Sequence, residues 1–241
     1  MKKKTNKITK KVKSTKSNVS KKTNKPNLSE KLFLGLGLVL LALIVVIISI
    51  NMNNDKSKTE DKIDLTQIGD AQLGDTVNVI IETNLGDIEV ELNNEDAPIT
   101  VANFLKYVKS NFYSKTIYHR VIDGFMVQGG GFSENGIQKK TFAPIKLESN
   151  NGLKNKKYTI AMARTSIEDS ATSQFFINTK DNGFLDYKQT NPGYAVFGKV
   201  VSGFEVVDKI EKVQTGFNQN GMKDWPVQNV VIESVKIKTN K

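Results

Sequence analysis

In Val77–Ile81, and again in Ile88–Leu92, apolar and polar side chains alternate, with Ile80 the one exception. Val77, Val79 and Ile81 are separated by Asn78 and Ile80, and Ile88, Val90 and Leu92 by Glu89 and Glu91. A period of two puts each set on one face of a strand, and the break at Asn84-Leu85-Gly86 predicts a hairpin with one buried face. The period then changes. Asp96-Ala97-Pro98 sets proline near a first helical position, and Val101, Phe104, Leu105 and Val108 follow at the spacing of a core-facing helical stripe. Ser110-Asn111 suits a left-handed stop. From there to Tyr194, short strand-like runs are divided by Gly, Asn and Asp. A second helical stripe, Phe204, Val207 and Ile210, follows Ser202-Gly203, and Val231, Val235 and Ile237 form a closing strand. Many short strands with two helices predict a mainly β domain, a barrel or a sandwich capped by helices.

One run fits neither period. Residues 32–50 are 19 consecutive residues without a charge. A helix of that length spans roughly 28 Å, close to the hydrocarbon core of a bilayer, and this one has no polar face. Charge changes the picture further. The chain of 241 residues carries a formal +10, yet residues 1–32 hold 12 lysines against Glu30 alone, which is +11. The remainder has 35 − 12 = 23 basic and 25 − 1 = 24 acidic residues, a net −1. The basicity therefore belongs to a tail of Lys, Thr, Asn and Ser that cannot bury a core. It lacks the aromatic residues that stack bases, so no nucleic-acid partner is expected. Lysines on one flank of the apolar run place the N-terminus in the cytoplasm. The run exceeds a usual signal-peptide core and is not followed by an Ala-x-Ala site, and without cysteine there is no lipoprotein cleavage site. The expected organisation is a basic cytoplasmic tail (1–31), a single transmembrane signal anchor (32–50), a polar linker (51–75) and an extracytoplasmic domain (76–238). Without cysteine there are no disulfides, and one histidine cannot build a multi-histidine metal site. Neither a phosphate-binding glycine loop nor a Gly-x-Ser-x-Gly elbow is present, and no cofactor or metal is expected.

The domain's chemistry concentrates between Tyr118 and Phe132, which read YHRVIDGFMVQGGGF. Four polar side chains, His119, Arg120, Asp123 and Gln128, stand among apolar residues and glycines. A guanidinium keeps its charge and is costly to bury alone, so Arg120 belongs either to a structural ion pair or to a site. Gly129 to Gly131 fit a bulge or a close backbone approach better than a strand interior. This stretch resembles the signature of the cyclophilin family of peptidyl-prolyl isomerases: aromatic-His-Arg, then Gly-Phe-Met-x-Gln-Gly-Gly. A second block, Ile160 to Thr165 followed by Ser173 to Asn178, and a third, Ala195 to Val200, resemble the family's other pocket segments in order and spacing. The resemblance covers roughly Thr76 to Ile237. It implies a closed antiparallel eight-stranded β-barrel with an α-helix over each end.

It also implies a reaction. Resonance gives the peptide C–N bond a rotational barrier of about 18–20 kcal/mol, and X–Pro bonds populate both isomers while exchanging slowly. A catalyst need form no covalent bond; a fixed donor aimed at the prolyl nitrogen favours the twisted amide, and arginine is always protonated. By resemblance Arg120 is that donor and Gln128 helps hold it and the substrate. Phe125, Met126, Phe176 and Leu185 would line the proline pocket, Ala163 and Arg164 would offer backbone, and Gln174 would border the site. His119 reads as structural or supporting. The bland reading of Phe125, Met126 and Phe176 is plain core; their match to the family pocket favours a solvent-facing one. Three positions depart from the best-known eukaryotic pattern: Phe184 replaces the tryptophan that contacts cyclosporin, Tyr194 a common histidine, and Arg164 an asparagine. These point to the bacterial branch. The expected partners are proline-containing polypeptides, handled by a monomer during folding outside the membrane. A binding module without turnover, and a chaperone or adhesin with incidental turnover, are the competing readings.

Overall fold

The computed structural model describes residues 74–238; the basic tail, the apolar run 32–50 and nearly all of the linker lie outside the described residues. Among the described residues, no helix is long and apolar enough to cross a membrane. The elements in chain order are β1 (Thr76–Thr83), β2 (Gly86–Asn93), α1 (Pro98–Lys109), β3 (Thr116–Ile122), β4 (Met126–Ser133), β5 (Thr159–Met162) and β6 (Phe175–Asn178), then β7 (Val196–Ser202), α2 (Phe204–Glu211), β8 (Thr215–Gly216), β9 (Trp225–Pro226) and β10 (Val230–Ile237). Eight strands close a barrel in the order β1-β10-β3-β4-β6-β5-β7-β2, with every neighbouring pair antiparallel. β8 and β9 form a separate two-stranded ribbon.

The first hairpin follows its alternation. Thr83 pairs with Gly86 across a two-residue turn, and Val79, Ile81, Ile88, Val90 and Leu92 are fully buried. Helix α1 begins at Pro98, where no backbone donor is lost. Its preceding residue, Ala97, offers no side-chain cap; instead Glu148 accepts hydrogen bonds from the backbone N–H groups of Ile99 (3.0 Å) and Thr100 (2.7 Å). A carboxylate at that end also complements the helix dipole. The predicted stripe Val101, Phe104, Leu105 and Val108 is buried, and Asn111 stops the helix with φ +53°. Phe104 drives into the barrel, its ring centroid 5.0, 5.6 and 5.4 Å from those of Tyr113, Phe175 and Phe197.

Helix α2 departs from its predicted stripe. Val206, Val207 and Ile210 are buried, but Phe204 is 39% exposed and lies across the ring of Tyr158 at 4.8 Å. Glu211 is 8% exposed. It accepts a hydrogen bond from the Gly124 N–H at 2.8 Å, in the turn between β3 and β4. The neighbouring Lys212 reaches Asp123 at 2.5 Å in the same turn.

Candidate active site

A bulge in β3 shapes the site. Tyr118 pairs with Gly129 and Arg120 with Gln128, so His119 is an extra residue on its strand. Such an insertion re-aims the side chains beyond it. Val127, Phe175 and Ile177 belong to the barrel interior with Tyr118, so the alternating positions Met126, Gln128 and Phe176 face outward, and Arg120 joins them. The glycines opposite make close approaches possible. Gly130 has φ +78°, and a Cβ there would meet the rings of Tyr113 and Phe175 at 2.9 and 3.0 Å. A Cβ at Gly131 would fall 2.6 Å from the Gln174 side chain, so only glycine leaves room for Gln174 to lie over this strand.

The outer face carries a cavity of about 140 Å³, lined by Arg120, Phe125, Met126, Gln128, Ala163, Arg164, Phe176, Leu185 and Tyr194. Met126 and Phe176 are only 2% and 4% exposed, so they form its floor. Tyr194 stands edge-on to Phe176 at 5.7 Å. A relay of side chains sets the arginine. Gln128 Nε2 donates to Gln174 Oε1 at 2.9 Å, and Arg120 Nη1 donates to Gln128 Oε1 at 3.4 Å. From the other side Asp224 Oδ2 lies 3.7 Å from Arg120 Nε. The Asp224 carbonyl accepts the Val121 N–H at 2.8 Å, holding its own φ of +61°, uncommon for a residue with a side chain, against β3.

Three of the residues singled out in the sequence do not line this cavity. His119 is 6% exposed and packs away from it, 4.6 Å from the Phe132 ring and 5.9 Å from Trp225. Burial pushes the pKa of its imidazole down to about 4, with the Arg120 charge adding to the shift and the nearby Ile117 backbone and Gln174 side chain opposing it. It is therefore neutral near pH 7, and its Nδ1 has no partner among the described residues. Gln174 stands behind Gln128 and touches the site through it. Phe184, 58% exposed on a 3-10 turn (Gly183–Leu185), stacks on Phe125 at 5.6 Å and forms a rim.

Backbone supply is divided unequally. The Ala163 N–H is taken by the Gln174 carbonyl at 2.9 Å, which leaves the Ala163 carbonyl as what it can offer. The Arg164 side chain is committed: Nε and Nη2 donate to the Gly193 carbonyl at 3.0 and 2.8 Å, and the guanidinium sits 4.7 Å over the Tyr194 ring. It fixes the cavity wall instead of reaching into the opening.

Sequence reasoning missed Asp224 and the amides beneath the site. Asn182 Nδ2 donates to the Phe125 carbonyl and to Asn178 Oδ1, both at 2.8 Å, and so ties the β3–β4 turn to β6. The signal for Asp224 was weak: an acidic residue in a run of turn formers, far downstream of the arginine it meets. For the asparagines there was the general rule that a buried amide needs partners, without an indication of which.

The chain is similar to known proteins. The family model for cyclophilin type peptidyl-prolyl cis-trans isomerases matches residues 78–237. Peptidyl-prolyl cis-trans isomerase A of Dickeya dadantii is 56% identical over 162 residues, covering 67% of this chain and 85% of that protein. Peptidyl-prolyl cis-trans isomerase B of Escherichia coli is 52% identical over 163 residues, covering 66% and 98%. A crystal structure of a cyclophilin type peptidyl-prolyl cis-trans isomerase from Cryptosporidium parvum superimposes with a TM-score of 0.56 at 28% identity, covering 69% of this chain and 99% of that one. With a closed eight-stranded barrel and an arginine beside an apolar cavity on its outer face, the chain belongs to the cyclophilin family of peptidyl-prolyl cis-trans isomerases.

Proposed function

We propose that Arg120 accelerates X–Pro rotation by donating a hydrogen bond to the prolyl nitrogen as the amide twists, with no covalent intermediate, and that the domain acts on folding polypeptides outside the cytoplasmic membrane, tethered through residues 32–50. The observation that carries the first part is the placement of Arg120. Its guanidinium has five donors, is 41% exposed, and meets Gln128 and Asp224 only at long range, at the edge of an apolar cavity. A cavity of about 150 Å³ admits one benzene-sized ring, which suits a pyrrolidine. A proline ring on Met126 and Phe176 would bring its nitrogen toward the arginine, and Gln128 would hold both. Selective stabilisation of the twisted form by each 1.36 kcal/mol gives about tenfold in rate. The second part is supported by the lysine asymmetry about an apolar run of 19 residues.

The test is Arg120→Ala in the full-length protein, assayed by cis/trans exchange of a proline tetrapeptide. Loss of one preorganised donor is expected to lower kcat/KM by about a hundredfold or more, with unfolding midpoint unchanged because the residue is half-exposed. Arg120→Lys restores charge without the planar fork and should recover only part of the rate. Full activity in a folded Arg120→Ala protein would sink the mechanism.

A further inference from the structure

A second cavity, of about 530 Å³, lies between the turn after β4 (Glu134 to Gly136) and the segment from β8 to β10. It adjoins the arginine site. Asp224 faces Arg120, and the next residue, Trp225, lines the second cavity while its ring packs 5.4 Å from Phe132 and 5.9 Å from His119. One short piece of chain therefore contacts the arginine of the first cavity and walls the second.

The chemistry of this groove is unlike that of a charged or purely apolar surface. Glu134 is its one charged lining residue, and that carboxylate lies 3.9 Å from Lys115. The side-chain amides of Asn135, Gln219 and Asn220 make no hydrogen bond to other described residues, although the groove is well supplied with donors and acceptors. Phe217 and Val227 flank them at 70% and 63% exposure. An amide carries a donor and an acceptor at its tip. Such tips match an extended peptide backbone, which presents N–H and C=O in turn, and the ammonium groups nearby are already engaged, Lys115 beside Glu134 and Lys223 over the Phe217 ring at 5.7 Å. Exposed Phe217 and Val227 add apolar contact for side chains that alternate along such a strand.

We propose that this groove is a second subsite for polypeptide substrates, holding an uncharged, extended stretch of chain that flanks the proline at Arg120. The proposal rests on the isomerase reading of the first cavity. It makes the protein prefer unfolded chains over short peptides, through contacts remote from the rotating bond that lower the energy of substrate and transition state together.

The test compares a proline tetrapeptide with the same peptide extended by about six uncharged residues on its amino or its carboxyl side. In the full-length protein, one extension is expected to raise kcat/KM by about three- to tenfold, the return for covering part of an exposed phenylalanine. Phe217→Ala, and independently Val227→Asp, should remove that gain and leave tetrapeptide turnover unchanged. No gain from either extension in the parent protein, or a gain that survives both variants, would overturn the proposal. So would a parallel loss of tetrapeptide turnover. A parent protein that leaves the tetrapeptide itself unturned would instead remove the isomerase reading, and this proposal with it.

Discussion

Arg120 is held loosely, by two long contacts instead of one tight one. A bidentate carboxylate pair would occupy two parallel N–H groups at short range. Here Asp224 stands 3.7 Å from Nε and Gln128 accepts from Nη1 at 3.4 Å, so the charge is oriented while donors stay available. Phe184 shows the same economy at the rim. It supplies a ring against Phe125 but no N–H. If it stands where related proteins place a tryptophan that donates to cyclosporin, the inhibitor carbonyl is left unpaired, at about 1–3 kcal/mol. That is about tenfold to more than a hundredfold in affinity. Weak cyclosporin inhibition is therefore expected of the native protein, with much tighter inhibition and nearly unchanged turnover in Phe184→Trp. Titration of activity with the drug decides it: tight inhibition of the native protein, or no gain in the variant, would place Phe184 elsewhere. Arg120, Gln128 and the apolar lining were legible because the family signature packs them into one stretch. Asp224 was not, since an ion pair between distant segments leaves no trace in local spacing.

Between elements, helix α2 grips the β3–β4 turn by two contacts of different value. The buried Glu211 carboxylate accepts from the Gly124 N–H, and the exposed Lys212 pairs with Asp123. Removing a buried acceptor leaves the N–H unsatisfied, at about 1–3 kcal/mol, whereas an exposed ion pair contributes about 0–1 kcal/mol. Because the next residue is Phe125, a loosened turn should also loosen the cavity wall. Glu211→Ala is expected to lose about 1–3 kcal/mol in denaturant unfolding and to raise KM more than it lowers kcat, with Glu211→Gln largely retaining both. Lys212→Ala should be close to neutral. Equal effects of the two alanine variants would show that the turn does not depend on the buried contact. The helices themselves were legible from their apolar spacing, apart from Phe204. In a helix of only eight residues, the first side chain can lie beyond the edge of the barrel, and Val206 takes the inner position instead. Barrel closure could not be read from alternation, because strand pairing between distant segments has no local signature; the family resemblance supplied it.

For the whole molecule, the tether proposed through residues 32–50 would decide where the chemistry occurs. Protease added to intact cells, or to spheroplasts if there is an outer membrane, is expected to release a fragment of about the size of residues 76–238. Protection until the membrane is broken would reverse the orientation. The barrel adds a consequence of its own. β1 and β10 are neighbours, with Val79 beside Ile237 and the Lys238 N–H donating to the Asn78 carbonyl at 2.8 Å, so the domain's first and last strands meet at one seam. A chain whose ends meet this way is close to a ring cut at one point. The cut could be moved to an exposed turn elsewhere, such as Gln189-Thr190, without redrawing any barrel strand pairing. A proposed tether joined to the last strand instead of the first would then leave from the same seam of the barrel.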